Sequence, residues 1–535
     1  MSEAFIGVDV GTGSARAGVF DRSGTLLGSA KRDITLWRGE HGIVEQSSAN
    51  IWQAVVQSVR EAVDKSGVAA EAVKGIGFDA TCSLVVIGPD GEGLPVGPSE
   101  DSQRDIIVWM DHRALDQTRR INQTGHPVLR YVGGVISPEM ETPKLLWLKE
   151  NRPHIFAAAE HFFDLADYLS WRATGSLARS VCTVTCKWTY LAHERRWDAD
   201  YFRTIGLEEL ADENFARIGA DVVGIGEPLA NGLTEQAAAD LGLVPGTAVG
   251  APAIDAHAGG IGTLGADGRD PSAELAFIMG TSSCAMAVTR QPAFVDGVWG
   301  PYYDSLLPDY WLLEGGQSAY GAGLDYLVSL HPASAAMAQE AASQGLSLLG
   351  LLERRAIEMA GSVENAATLA RDIHIVPEFL GNRSPEADPA ATAVISGLTL
   401  DNSEAGLVRL FVAGLCGLSY GTGEIVRAMR EKGVELGAIV VSGGAARSQL
   451  LRRILSDATN MRVVLPVTPE PVLLGSAIIG AVGARSFADI AAAASAMCAV
   501  GEETLPQADI LEFHTRKKRA YDILRNAERQ VRKLT

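Results

Sequence analysis

Phe5-Ile-Gly-Val-Asp-Val-Gly-Thr-Gly-Ser14 is an apolar run ending in a turn of small residues, and Ala17-Gly-Val-Phe20 follows it as a second apolar run. The turn therefore joins a strand to a strand, not a strand to a helix. Gly11 and Gly13 let the backbone bend tightly and bring its N–H groups against an oxyanion. Thr12 and Ser14 add hydroxyl donors. Asp9 is a carboxylate placed where a hydrated Mg2+ would sit beside phosphates. The same residues would also make an ordinary hairpin turn. Other phosphate motifs do not fit. No Walker loop occurs, and a dinucleotide fingerprint fails because Arg16 stands where the third glycine belongs and a strand follows it.

Outward from this turn, residues 5–33 read as three strands joined by tight turns, with the third over 25–30. A helix is expected over 51–63, and strands over 75–78, 84–87 and 108–111. A second helix is expected over 113–122. Strands alternating with helices make the chain α/β. Near residue 273 the opening plan restarts: an apolar strand over 274–279, the turn Gly280-Thr-Ser-Ser283, and a strand over 284–288. A third small-residue turn, Gly443-Gly444, ends a strand that begins at Ala438 and opens a helix over 448–460. Such a turn lets a flat ligand or phosphate approach closely, and equally serves chain reversal with close helix packing. A strand over 462–465 and a buried helix rich in Ala and Gly after Pro469 complete the second half. The strand–turn–strand plan, used twice, predicts a two-lobed, duplicated actin/hexokinase-like (ribonuclease H-like) ATPase fold. Residues 1–265 would form one lobe and 266–535 the other, with ATP held between two facing phosphate turns.

The 535 residues exceed one domain, and 47% are hydrophobic, enough for large cores. A net charge of −19 argues against a nucleic-acid partner. The one dense basic stretch, Arg516-Lys-Lys-Arg519 with Arg525, Arg529, Arg532 and Lys533, carries an apolar seam of Leu524, Ala527, Val531 and Leu534 at helical spacing. It predicts a surface helix docked by that seam. Six scattered cysteines suit a reducing compartment, and Cys182 with Cys186 read as small buried residues because no Cys or His cluster completes a metal site. No signal peptide and no long apolar run suggesting a membrane span is evident, so a cytoplasmic protein without a membrane partner is expected. The Ala-rich stretch 491–496 reads as either a buried helix or an interface.

Between the first two turns lies Ala253-Ile-Asp-Ala-His-Ala-Gly259. An isolated Asp at a helix start reads as a cap; the place of Asp255 between two lobes favours catalysis. With this segment the chain resembles the FGGY family of carbohydrate kinases along essentially its whole length. Gly7-Val-Asp-Val-Gly-Thr-Gly-Ser14 is similar to the family's first phosphate loop, and Gly280-Thr281 to its second. Trp109-Met-Asp-His-Arg113 is similar to its Trp-x-Asp-x-Arg segment beside the sugar. Pro377-Glu-Phe-Leu-Gly-Asn-Arg-Ser-Pro385 and Glu470-Pro-Val-Leu-Leu-Gly-Ser-Ala477 resemble two family signatures, and Ser442-Gly-Gly-Ala445 its adenosine turn. Phe78-Asp-Ala-Thr-Cys-Ser-Leu-Val-Val86, Cys186-Lys-Trp-Thr-Tyr190 and Glu314-Gly-Gly-Gln-Ser318 resemble the D-ribulokinase branch.

The resemblance implies transfer of the ATP γ-phosphoryl group to a ketopentose, D-ribulose first, with L-ribulose, ribitol or another pentitol as alternatives. An ATP-binding scaffold or sugar sensor of the same fold is the reading from another class. It implies Asp255 as general base, and Asp9 with Asp255 as holders of Mg2+. Gly11, Thr12, Gly13 and Ser14 with Gly280, Thr281 and Ser282 would bind phosphates, Arg16 would add charge or form a structural ion pair, and Gly443, Gly444 and Ser448 would border adenosine. Thr81, Cys82, Lys187, Glu314 and Asp255 would ring the sugar, with Trp109 as an apolar wall. Without the resemblance, Lys187 is a surface Lys and Glu314 a strand-end cap. Family members are often homodimers, and the resemblance carries that expectation.

Overall fold

The computed structural model describes residues 3–534. Two sheets repeat one plan. In the first, Ala4–Val10 pairs antiparallel with Ser14–Asp21, which pairs antiparallel with Leu26–Asp33. On its other side Ala4–Val10 pairs parallel with Val73–Ala80, and that strand takes Ala248–Val249 and Ala253–Ile254 in parallel. In the second, Glu274–Met279 pairs antiparallel with Ser283–Thr289 and through it with Trp311–Gly315, while Ala438–Ser442 and then Arg462–Pro466 add in parallel. Central strands such as Ala4–Val10 are buried along their whole length, which is why they read as continuous apolar runs rather than alternating ones.

Helices cover both sheets. Ser48–Ser66 starts where Ser47 Oγ accepts the Asn50 amide at 3.3 Å and ends at Gly67, whose φ of 66° is left-handed. Its buried stripe of Ile51, Val55, Val59 and Ala62 lies on the opening hairpin. The apolar helix Pro471–Gly483 comes from the second half yet packs on Ala4–Val10 and Val73–Ala80 of the first sheet and on Asp255–Ile261. Only glycine permits that approach: a Cβ on Gly475 would lie 1.8 Å from the Ala258 carbonyl oxygen, and one on Gly7 1.9 Å from that of Leu473. A smaller sheet, in the order Trp37–Arg38, Val44–Gln46, Ile106–Ile107, Leu84–Ile87 and His161–Asp164, is built from segments between the strands of the first lobe.

Three expectations are corrected. Residues 108–111 are a turn, and the strand there is Ile106–Ile107. Buried Arg113 pairs with Asp111 and Glu45 at 2.7 and 2.9 Å, and Asp111 accepts the Val44 amide at 2.6 Å, so polar bonds fold the segment where alternation suggested a strand. The C-terminal helix Leu511–Arg532 docks only in part by its apolar seam, of which Leu524 packs half-buried against the second core. Val531 and Leu534 are 60% and 86% exposed, and the buried face carries His514, Lys517, Tyr521, Arg525 and Glu528. Glu424 collects Lys518 at 2.6 Å and Arg525 at 2.8 Å, and Lys517 Nζ donates to the Ala370 carbonyl at 2.6 Å. Glu404–Glu431 has the length and hydropathy of a membrane span, contrary to the sequence reading, but as a core helix 83% of its apolar window is buried in the protein. In the Ala-rich stretch, Ile490–Met497 buries Ile490, Ala493, Ala494 and Met497 and exposes its other face.

Candidate active site

Between the two sheets lies a cavity of about 810 Å³, within the usual range for small-molecule sites. Both small-residue turns open into it. Asp9 ends the first strand, and Gly11–Ser14 form the bend behind it. Gly280, Thr281 and Ser282 occupy the matching bend of the second sheet. A Cβ on Gly13 would meet nothing within 4 Å, so the turn leaves space in front of it. The Trp109 indole N–H donates to Thr12 Oγ1 at 3.0 Å. Because that oxygen accepts there, its own O–H is left to donate into the cavity. Trp109 is thus tied to the first small-residue turn, and the Asp111–Arg113–Glu45 cluster behind it fixes the turn that presents it.

Asp255 sits at the start of the helix Asp255–Ile261, where its Oδ1 accepts the Ala256 amide at 2.7 Å. Burial, and then the charge of Asp9, raises its pKa to about 6. Arg16 reaches Asp9 Oδ2 through Nε at 2.7 Å and Glu470 Oε2 through Nη1 at 2.9 Å. Asp79 lies beside Asp9 in strand register and accepts the Ser476 hydroxyl. Burial and then the Asp9 charge push its pKa well above the ordinary carboxylate value. A pair of carboxylates completed by phosphate oxygens and water suits Mg2+, which seldom has an all-protein cage. Among the described residues there is no ready-made group of three or more His, Cys, Asp or Glu side chains for a metal.

At the other end of the cavity, Thr81 and Cys82 follow Val73–Ala80, and Lys187 and Glu314 arrive from opposite lobes. Thr81 Oγ1 lies 3.2 Å from Ser83 Oγ, which accepts the Trp109 amide at 3.1 Å. Burial pushes the Cys82 thiol far up, so it stays neutral. Lys187 Nζ stands 4.9 Å over the Trp299 ring, and the Arg383 guanidinium 4.3 Å from the same centroid. Arg383 Nη2 also donates to Glu314 Oε1 at 3.1 Å. Burial opposes the charge on Glu314, yet Lys187, His257 and Arg383 outweigh it and hold the carboxylate well below its ordinary range.

The structure therefore brings Asp9, Gly11–Ser14, Arg16, Thr81, Cys82, Trp109, Lys187, Asp255, Gly280–Ser282 and Glu314 to one cavity. Gly443, Gly444 and Ser448 lie outside its lining. Gly443 has a φ of 86° and packs against the Met279 backbone, beside the Gly280–Ser282 turn. Ser448 Oγ is used as a helix cap, accepting the Leu451 amide at 3.0 Å. Sequence reasoning missed Glu139, His257, Cys284, Trp299, Arg383 and Glu470 as lining residues. Arg383, Glu470 and His257 stood inside motifs already singled out, whereas nothing local marks Glu139, Cys284 or Trp299.

Residues 4–262 match the N-terminal domain of the FGGY family of carbohydrate kinases, and residues 275–484 its C-terminal domain. An FGGY carbohydrate kinase domain-containing protein of Homo sapiens is 42% identical over 527 residues, covering 97% of this chain and 95% of that protein. A D-ribulokinase of Saccharomyces cerevisiae is 39% identical over 517 residues, covering 90% of this chain and 72% of that protein. Among solved structures, a xylulose kinase from Rhodospirillum rubrum superposes with a TM-score of 0.80 at 22% identity, covering 99% of each chain. The duplicated sheets are those of the actin/hexokinase-like fold. Both halves of the chain thus match in order and nearly end to end, and the protein belongs to the FGGY family of carbohydrate kinases.

Proposed function

We propose that this kinase transfers the γ-phosphoryl group of ATP to a primary hydroxyl of a ketopentose, D-ribulose giving D-ribulose 5-phosphate. The observation that carries the reading is the meeting of Lys187 and Glu314 with Asp255 and both small-residue turns in one cavity. Similarity to a D-ribulokinase at 39% identity supports the same substrate. Lys187 and Arg383 face Glu139, Asp255 and Glu314 in that cavity, so no surplus of positive charge awaits an anionic sugar. A neutral polyhydroxyl acceptor fits that balance.

Phosphoryl transfer needs positioning and charge stabilisation more than covalent chemistry. Asp255 orients the attacking hydroxyl and takes its proton as the bond to phosphorus forms. Gly11–Ser14 and Gly280–Ser282 cradle the phosphates, and Gly443, Gly444 and Ser448 border the adenosine. Asp9 and Asp255 would hold Mg2+, which would supply charge neutralisation at the phosphates. Closure of the lobes excludes water, the competing acceptor. The scattered free thiols fit a cytoplasmic enzyme.

A coupled ADP-release assay with Mg-ATP tests this against D-ribulose, L-ribulose, D-xylulose, L-xylulose, ribitol, erythritol and glycerol. The expected outcome is the highest kcat/KM on D-ribulose. Preference for another polyol keeps a kinase with a different pocket, and ADP release indifferent to every sugar rejects the reading.

A further inference from the structure

His257, two residues after Asp255, is fully buried and joins elements the mechanism above leaves unconnected. Its Nδ1 lies 3.0 Å from Cys182 Sγ and 4.0 Å from Cys186 Sγ. The same Cys182 sulfur accepts the Ile254 amide at 3.4 Å. The Glu314 carboxylate facing Nε2 favours a hydrogen on Nε2, which leaves Nδ1 of the neutral ring to accept from a thiol. An imidazolium would carry one there as well, so Nε2 is a donor in either form.

Nε2 faces Glu314 Oε2 at 3.6 Å. Both atoms are buried, and neither has a hydrogen-bond partner among the described residues. The other carboxylate oxygen, Oε1, already takes Arg383 Nη2 at 3.1 Å and the Cys284 thiol at 3.5 Å, both from the second lobe. His257 belongs to the segment matching the N-terminal family domain and Glu314 to the segment matching the C-terminal one. The gap therefore spans the two lobes. At this distance the pair attracts by charge but makes no good hydrogen bond, and an approach of roughly half an ångström would complete one.

We propose that His257 is a positioning residue whose Nε2–H bonds Glu314 when the lobes close, fixing that carboxylate for the sugar and coupling sugar binding to closure. This rests on the reading of Glu314 as a sugar contact. Held from one lobe by Arg383 and Cys284 and from the other by His257, Glu314 has both oxygens set only in the closed state. Sugar affinity then depends on a group that acts through Glu314. Cys182 acts one step further back, by keeping Nδ1 occupied.

The test uses the full-length enzyme and whichever panel sugar it turns over best, so the identity of the sugar does not enter. His257→Leu removes the donor and is expected to raise the sugar KM at least tenfold with the ATP KM unchanged. His257→Gln puts an amide N–H near the Nε2 position and is expected to restore the sugar KM to within about threefold of wild type. X-ray scattering with saturating sugar and a non-hydrolysable ATP analogue should show compaction in wild type and His257→Gln and less in His257→Leu. Wild-type KM and compaction in His257→Leu overturn the proposal. So does equal impairment of the Leu and Gln variants, which marks a packing role. If His257→Leu does not fold, Cys182→Ala and Cys182→Ser decide: Ser keeps a hydrogen for Nδ1 and should preserve the sugar KM that Ala raises, and equal behaviour overturns the idea. Glu314→Gln is measured alongside. An unchanged sugar KM there rejects Glu314 as a sugar contact, whereas impairment there with a normal His257→Leu rejects the latch alone.

Discussion

Asp255 shows how a single residue acquires a role from its surroundings. An ordinary aspartate is ionised far below neutral pH; burial and the nearby charge of Asp9 bring this one up to about 6. A base must be deprotonated to accept the sugar's proton, so activity rises with pH through the base's pKa. We expect kcat/KM to fall about tenfold per pH unit below pH 6 and to level off above it, read from a pH–rate profile of the free enzyme. Asp255→Asn is expected to lose about 10²- to 10⁴-fold in kcat while binding ATP normally by calorimetry. Retained phosphorylation at a near-normal rate rejects the base assignment. The residue itself was legible from the small-residue context of Ala253-Ile-Asp-Ala-His-Ala-Gly259. Its raised pKa was not, because Asp9 reaches it only through the fold. Trp109 repeats the point: its number was legible, its bond to Thr12 was not.

At the scale of elements, the C-terminal helix is where pattern reading and packing part. Of the seam Leu524, Ala527, Val531 and Leu534 only Leu524 packs inward, since a basic helix can dock by charge when carboxylates and carbonyls await it. Glu424 on Glu404–Glu431 is the anchor. Burial opposes its charge, but hydrogen bonds from Arg427 and Lys518, with Arg525 nearby, lower it to about 2. A carboxylate depressed in the folded state stabilises fully above its unfolded value near 4.5, and that stability is lost as pH falls from there toward 2. Arg427 is largely exposed, so screening trims the effect to about 1–2 kcal/mol. Glu424→Gln should cost that much at pH 7 by urea unfolding, with the difference from wild type falling to about half near pH 3 and vanishing only below pH 2. A constant difference at both pH values rejects the ionic anchor. The strands and helices with strong periodicity, such as Ser48–Ser66 and Gln449–Thr459, fall within a few residues of expectation, because local apolar spacing specifies them.

Over the whole molecule, the lobes meet through Pro471–Gly483 and Asp255–Ile261, packed backbone to backbone. A methyl group on Gly475 would strike the Ala258 carbonyl at 1.8 Å, with backbone rather than a flexible side chain opposing it. Gly475→Ala is therefore expected to destabilise by about 3 kcal/mol in denaturant unfolding and to lower kcat by displacing the helix that carries Asp255. Wild-type stability in this variant would mean the two helices can separate without cost.

The sequence alone carried the duplicated plan, the two small-residue turns, the candidate base and the α/β class. Each is local: a glycine turn, an apolar run or a strand–turn–strand order is written in consecutive residues. Only the tertiary structure decided which distant side chains meet. Arg383 with Glu314, Lys187 over Trp299, and His257 between Cys182 and Glu314 are contacts across 69, 112, 75 and 57 positions. No periodicity encodes such pairings, because they arise from how sheets and helices pack after each has formed.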